Sequence, residues 1–192
     1  MATDVKIAQA IGTLGYAAAA GGIATLSAVC IPNITALAQF PANSTLSLDE
    51  TRRILQLSHQ WLDLYDRGHK IFPSITAFAS IANIYVFWEL RNTQTRASRY
   101  LLAASVAMSI VPWTFLTMVK TNDQLDAHAL HADATRADTR DVTAGSREKS
   151  NQTVKYGEIL RLLKKWAKLN LARAMFPLAG ALIGFCTAVS SR

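Results

Sequence analysis

Charged residues are missing from four long windows of this chain, 7–48, 71–88, 100–119 and 174–191. Each is long enough to cross a hydrocarbon core of about 30 Å, which takes roughly 17–25 helical residues. Backbone amides in lipid must be paired within their own segment, so such runs are helices unless they alternate like barrel strands, and these do not alternate. The expected fold class is all-α, an integral membrane four-helix bundle. Its spans fall near residues 7–31, 71–89, 100–119 and 174–190, in a single domain over 1–192. Composition agrees: 51% of the 192 residues are hydrophobic, more than a soluble domain of this size needs.

The first window, "IGTLGYAAAAGGIATLSAVC", sets small residues four apart at Gly15/Ala19, Ala17/Gly21 and Ala18/Gly22, as close helix packing in lipid prefers. No strand precedes these glycines, so they read as packing and not as a nucleotide loop. A cleaved signal peptide is disfavoured, because the stretch far exceeds an h-region of about 7–15 residues and Asp4 precedes it. Pro32 lacks an N–H and is expected to end the span. Cys30 and Cys186 lie in different spans without a C-x-x-C, which excludes a membrane dithiol oxidoreductase and leaves them as packing residues.

The net charge of +7 is informative loop by loop. Outside the loops 39–70 and 120–173 the cations are Lys6, Arg91, Arg96, Arg99 and Arg192, and the other fifteen of the twenty Lys and Arg fall within those loops. The positive-inside bias then makes those loops cytoplasmic and both termini non-cytoplasmic. Basic loops beside lipid account for the charge through anionic headgroups, so no nucleic acid partner is called for.

Both loops hold more than connectors. In "SLDETRRILQLSHQWLDLYDRGHK", Ser47 and Glu50 form a capping box and Gly68 offers a stop. Ile54, Leu57, Trp61, Leu64 and Tyr65 share one face of that helix, with Arg53, His59 and Asp63 opposite. In "YGEILRLLKKWAKLNLAR", Ile159, Leu163 and Trp166 oppose Arg161, Lys164, Lys165 and Lys168. Two amphipathic helices, near 48–66 and 154–170, are expected at the membrane surface. Residues 127–150 are polar and mixed in charge, and read as a helix start followed by a loop. The sequons at Asn33, Asn43 and Asn151 carry little weight, since the last two fall on the cytoplasmic side.

Polar residues at span ends are candidate sites, and here Trp61, Tyr65, His69, Asn122, Asn170 and Arg173 converge on one level of the membrane. Singly, each could be an interfacial anchor. His59 lies on a polar face near Asp63. His128 and His131 could share a metal but lack a third ligand. No histidine lies inside a span, which disfavours a haem held by two histidines within the bundle.

"QWLDLYDRGHKIFP", "PWTFLTMVKTNDQL" and "EILRLLKKWAKLNLARAMFPLAG" resemble the fungal anthrone oxygenases, small multi-pass proteins of polyketide pathways. The resemblance covers most of the chain outside 127–150. Its matching features are Trp61, Tyr65 and Gly68; Pro112, Thr114, Thr121, Asn122 and Leu125; and Trp166, Asn170 and Arg173. It implies oxidation of an anthrone, such as emodin anthrone, to the anthraquinone by O₂ as co-substrate, with no added cofactor and no metal, in an internal membrane such as the endoplasmic reticulum. An anthrone methylene is acidic because its anion is aromatic, so the protein need only bind a flat substrate, remove a proton and stabilise negative oxygen. On that reading Arg173 and Asn122 stabilise the anion and His69 or Tyr65 is the base. Trp61, Trp113, Thr114 and Asn170 bind substrate, and Pro112 kinks the third span so that Asn122 reaches the pocket mouth. Two other readings stand beside it: a non-catalytic four-span scaffold whose polar residues are helix contacts, and a metal- or haem-dependent oxidoreductase using loop histidines. The oligomeric state is not legible.

Overall fold

A computed structural model of the chain describes residues 2–37, 47–138 and 147–190, with side chains described over 2–36, 56–130 and 157–190. In chain order the elements are α1 (Thr3–Thr25), a π-helical turn (Leu26–Cys30), α2 (Ile31–Leu37), α3 (Ser47–Leu90), α4 (Ser98–Met108), α5 (Ile110–Thr117), α6 (Val119–Asp138) and α7 (Arg147–Ser190). No strand occurs among the described residues. Four stretches are long and apolar enough to cross a membrane: Thr3–Ala36, Gln56–Leu90, Ser98–Thr117 and Gly157–Ser190.

They form an up-and-down bundle. α1 runs antiparallel to α3, with Gly12 against Asn83, Gly15 against Ala79 and Gly22 against Phe72. α4 and α5 run antiparallel to α7, where Gly180 meets Ala103 and Ala107. α1 and α7 are antiparallel too, Thr13 lying by Gly184 and Ile23 by Ala174. Small residues let these backbones approach, as packing in lipid requires. Within the bundle, Tyr16 Oη and Ser80 Oγ share a buried hydrogen bond of 2.9 Å, which ties the register of α1 to that of α3.

Three expected boundaries are displaced. Helix does not end at Pro32. The π turn precedes it, with the Ile31 N–H bonded to the Leu26 carbonyl five residues back, and α2 then carries the chain past the proline. Gly68 does not stop a helix either. It lies inside α3, where a Cβ would stand 3.1 Å from Leu26 Cδ1, so it makes room for α1 and the π turn instead of supplying a left-handed cap. Nor are the two amphipathic segments separate surface helices: each is continuous with the following span, giving two 44-residue rods, α3 through Pro73 and α7 through Pro177. Helix this long extends about 66 Å, twice what a bilayer core accepts, so half of each rod projects. The third span is broken as expected near Pro112, with helix interruptions at Ser109 and Met118. The side chains of Ser47, Glu50, Arg53, Ile54, His131 and Asn151, and the sequon at Asn43, lie outside what the structure describes.

The exposed surface marks where a bilayer would end. On α3 it changes from Lys70 to Ile71 and Phe78, on α6 and α5 from Lys120 to Leu116 and Phe115, and on α7 from Lys168 to Leu171 and Met175. These transitions lie within about one helical turn of each other, because Asn122 pairs with Trp166 and, further down, Thr114 with Arg173. The projecting halves bury their own core, including Leu57, Trp61, Met118, Leu125, Ile159 and Trp166. Truncating either indole there would cost roughly 3–5 kcal/mol. The hydrophobic stripes are thus consumed by helix pairing, which explains why they need not lie on lipid.

Candidate active site

Between the projecting core and the apolar cluster beneath it, formed by Ile23, Ile110, Ala174, Phe72 and Phe176, lies a buried polar band. Its members come from all four legs of the helical bundle: Ser27, Tyr65, Thr114, Thr121, Asn122, Asn170 and Arg173. The band spans about 12 Å along the helix axes, from Asn122 to Thr114, and crosses the level at which the surface turns apolar.

On α3, the spacing of four residues stacks three rings in a column. Trp61 lies 5.2 Å from Tyr65 at an interplanar angle of 13°, and Tyr65 lies 5.1 Å from His69 at 20°. Trp166 meets Trp61 edge to face at 6.2 Å. The Trp166 indole N–H donates to Asn122 Oδ1 at 3.0 Å, and Asn122 Nδ2 faces the Tyr65 hydroxyl at 3.5 Å. His69 Nδ1 lies 3.0 Å from the Tyr65 carbonyl oxygen. A carbonyl can only accept, so this contact puts the proton on Nδ1 and leaves Nε2 with a free lone pair at a half-exposed mouth.

Arg173 sits lower, 6% exposed, with one guanidinium nitrogen 3.5 Å from Thr114 Oγ1 and Nε without a partner. Thr114 spends its own proton on the Ile110 carbonyl at 2.7 Å, so its lone pair is free for the guanidinium. No carboxylate pairs with Arg173 among the described residues, and Tyr65 is the titratable group near enough to interact with it. An unpaired buried cation costs several kcal/mol and is unusual unless a ligand supplies the anion. Trp61 Nε1, Trp113 Nε1 and Thr121 Oγ1 are also buried without partners.

Asn170 faces elsewhere. Its Nδ2 donates to Ser27 Oγ at 2.8 Å and to the Ile23 carbonyl at 3.3 Å, so its amide holds the π turn, while Oδ1 stays unpartnered. Trp113 packs on Phe176 at 5.6 Å. Of the eight residues singled out in the sequence, the structure gathers Trp61, Tyr65, His69 and Asn122 in one group and Arg173 with Thr114 just below. Asn170 and Trp113 lie at its flanks. His128 faces Glu158 across α6 and α7 at 3.9 Å, and no three His, Cys, Asp or Glu side chains come together as metal ligands would among the described residues.

The family model described as anthrone oxygenase matches residues 61–183, from the first ring of the stack to beyond Arg173. The chain belongs to the anthrone oxygenase family. It is 29% identical over 181 residues to the anthrone oxygenase tpcL of Aspergillus fumigatus, covering 94% of this chain and 92% of that protein. An anthrone oxygenase of Claviceps purpurea is 30% identical over 172 residues, 89% of this chain and 82% of that one. The noranthrone monooxygenase of Aspergillus flavus is 30% identical over 137 residues, which are 71% of this chain and 58% of that protein. No solved structure matches.

Three members of this candidate site, Trp166, Thr121 and Ser27, were not singled out as site residues in the sequence. Trp166 reads there as the apolar face of an amphipathic helix, and its partner is 44 positions away. The available signal is that Trp166, Asn170 and Arg173 share one helical face at i, i+4 and i+7. Ser27, buried in the π turn, has no local signature beyond being polar inside a span.

Proposed function

We propose that this chain oxidises a polyketide anthrone to the anthraquinone with O₂ in the manner its relatives' names describe, at the polar band between α3, α5, α6 and α7. The observation that carries this reading is Arg173, a buried guanidinium with no carboxylate partner among the described residues. Such a group favours a substrate that becomes an anion within the site. The level of the band supports a substrate with a flat apolar body and a polar edge, arriving from the bilayer and packing on the half-buried ring of Trp113, with Trp61 fully buried behind the ring of Tyr65. Both chain termini lie on the non-cytoplasmic face in this reading.

His69 Nε2 takes a proton from the anthrone methylene, leaving a carbanion whose charge is delocalised onto the ring carbonyl oxygen. Arg173, with Asn122 and Tyr65, stabilises that oxygen. The carbanion passes one electron to O₂, the carbon radical and superoxide recombine, and the peroxide takes up a proton. The O–O bond of the hydroperoxide then breaks, and the outer hydroxyl leaves with the remaining methine hydrogen as water. One anthrone and one O₂ thereby give one quinone and one water, with no other oxidant and no added cofactor. Asn170 serves by holding the π turn beside the band.

The test is anaerobic addition of emodin anthrone to purified, chelator-treated and haem-free protein, followed by an O₂ pulse and spectral detection of quinone. Formation well above the uncatalysed rate in the same detergent is expected. A rate equal to that background would overturn the reading, and turnover restored only by added iron, copper or haem would overturn its cofactor-free chemistry.

A further inference from the structure

We infer that Trp166 is a positioning residue whose indole N–H fixes the direction of a hydrogen-bond chain and so reserves the Tyr65 hydroxyl proton for the substrate's oxygen. The inference rests on the anthrone reading and decides which of two candidate groups, His69 or Tyr65, acts as the base. An indole N–H can donate and cannot accept. With Trp166 Nε1 3.0 Å from Asn122 Oδ1, the amide cannot be turned over without setting an N–H against an N–H in a buried place. The other end of the amide, Nδ2, is therefore a donor facing Tyr65 Oη at 3.5 Å. Tyr65 oxygen accepts on that side, and its own proton points away from Asn122.

Trp166 cannot easily release this arrangement, being 2% exposed and fixed edge to face on Trp61. The rings of Trp61 and His69 cover the two faces of the Tyr65 phenol, which confines its outlet to the ring edge. A proton presented there suits an acceptor oxygen that gains charge, the anthrone carbonyl, and does not suit a group that must itself take a proton from carbon. Tyr65 is thus the donor beside Arg173, and proton removal falls to His69. No bond to Tyr65 is made or broken.

The test is a cycle of Trp166→Phe and Tyr65→Phe, with kcat and KM measured per mole of monodisperse protein. Phenylalanine keeps an aromatic ring against Trp61 and removes the N–H together with the second ring of the indole. Trp166→Phe should lower kcat about tenfold, as for one transition-state hydrogen bond, with KM little changed. In the Tyr65→Phe background it should have no further effect on kcat. Equal losses in both backgrounds would overturn the assignment. Asn122→Asp gives a second reading if Trp166→Phe folds poorly: the carboxylate still accepts from Trp166 but now draws the Tyr65 proton toward itself, so kcat should fall, and an unchanged kcat would overturn the assignment. A wild-type protein without turnover would instead take down the anthrone reading, and this assignment with it.

Discussion

The ring of Phe72 on α3 occupies the space into which a side chain on Gly22 of α1 would project. One residue earlier, Gly21 faces nothing within 4 Å. Gly22→Ala should therefore destabilise the bundle by about 1–3 kcal/mol through overpacking. Gly21→Ala should be neutral or stabilising by up to about 1 kcal/mol, since alanine is the better helix former. Thermal unfolding of the two variants in one detergent distinguishes them, and equal shifts would contradict the α1–α3 packing.

Arg173→Ala should lose roughly a hundred- to a thousandfold in kcat while remaining folded, because one charge-stabilising donor in a sheltered site is worth about that much. Arg173→Lys should recover part of the loss, since lysine retains the charge but not the planar fork. Quinone formation per mole of monodisperse protein is the measurement. Equal rates for the three proteins would remove Arg173 from the chemistry and make it a boundary anchor.

His69→Ala should cost about a hundredfold or more in turnover, the usual contribution of a general base. The side chain is 41% exposed at the mouth of the band, so added imidazole has a path to the vacated space. Partial rescue that grows with imidazole concentration is expected. An His69→Ala protein that keeps wild-type turnover would eliminate it as the base.

Single cysteines in place of Ser98 and Asp126, in a background with Cys30 and Cys186 replaced by serine, should react with an impermeant thiol reagent from opposite sides of sealed vesicles. Both positions are exposed, so access is not limited by packing. Labelling of both from one side would overturn the four-span topology.

The spans were legible because charge is expelled from lipid whatever the tertiary fold. Helix ends were not, because Gly68 and Pro32 are stop signals only when nothing else rewards continuation. Here Gly68 admits Leu26, and the π turn accommodates Pro32. The stripe containing Leu57 and Trp61 is legible as apolar, but periodicity does not say whether lipid or another helix will cover it. The level of the site was visible as polar residues at span ends. The direction in which Asn170 points was not, since only the packed bundle shows that Ser27 stands opposite it.

The continuity of α3 and α7 has a mechanical consequence. Trp61, Tyr65 and His69 ride on the same rod as the membrane-crossing segment from Ile71 to Trp88, and Trp166 rides on the same rod as that from Leu171 to Val189. A bilayer that thins or thickens is met by a change in helix tilt. A 5° change pivoting at mid-membrane would move Trp61, roughly 28 Å away along α3, by about 2 Å. On the proposed site, each rod is therefore a lever that carries a change in lipid thickness to the ring column.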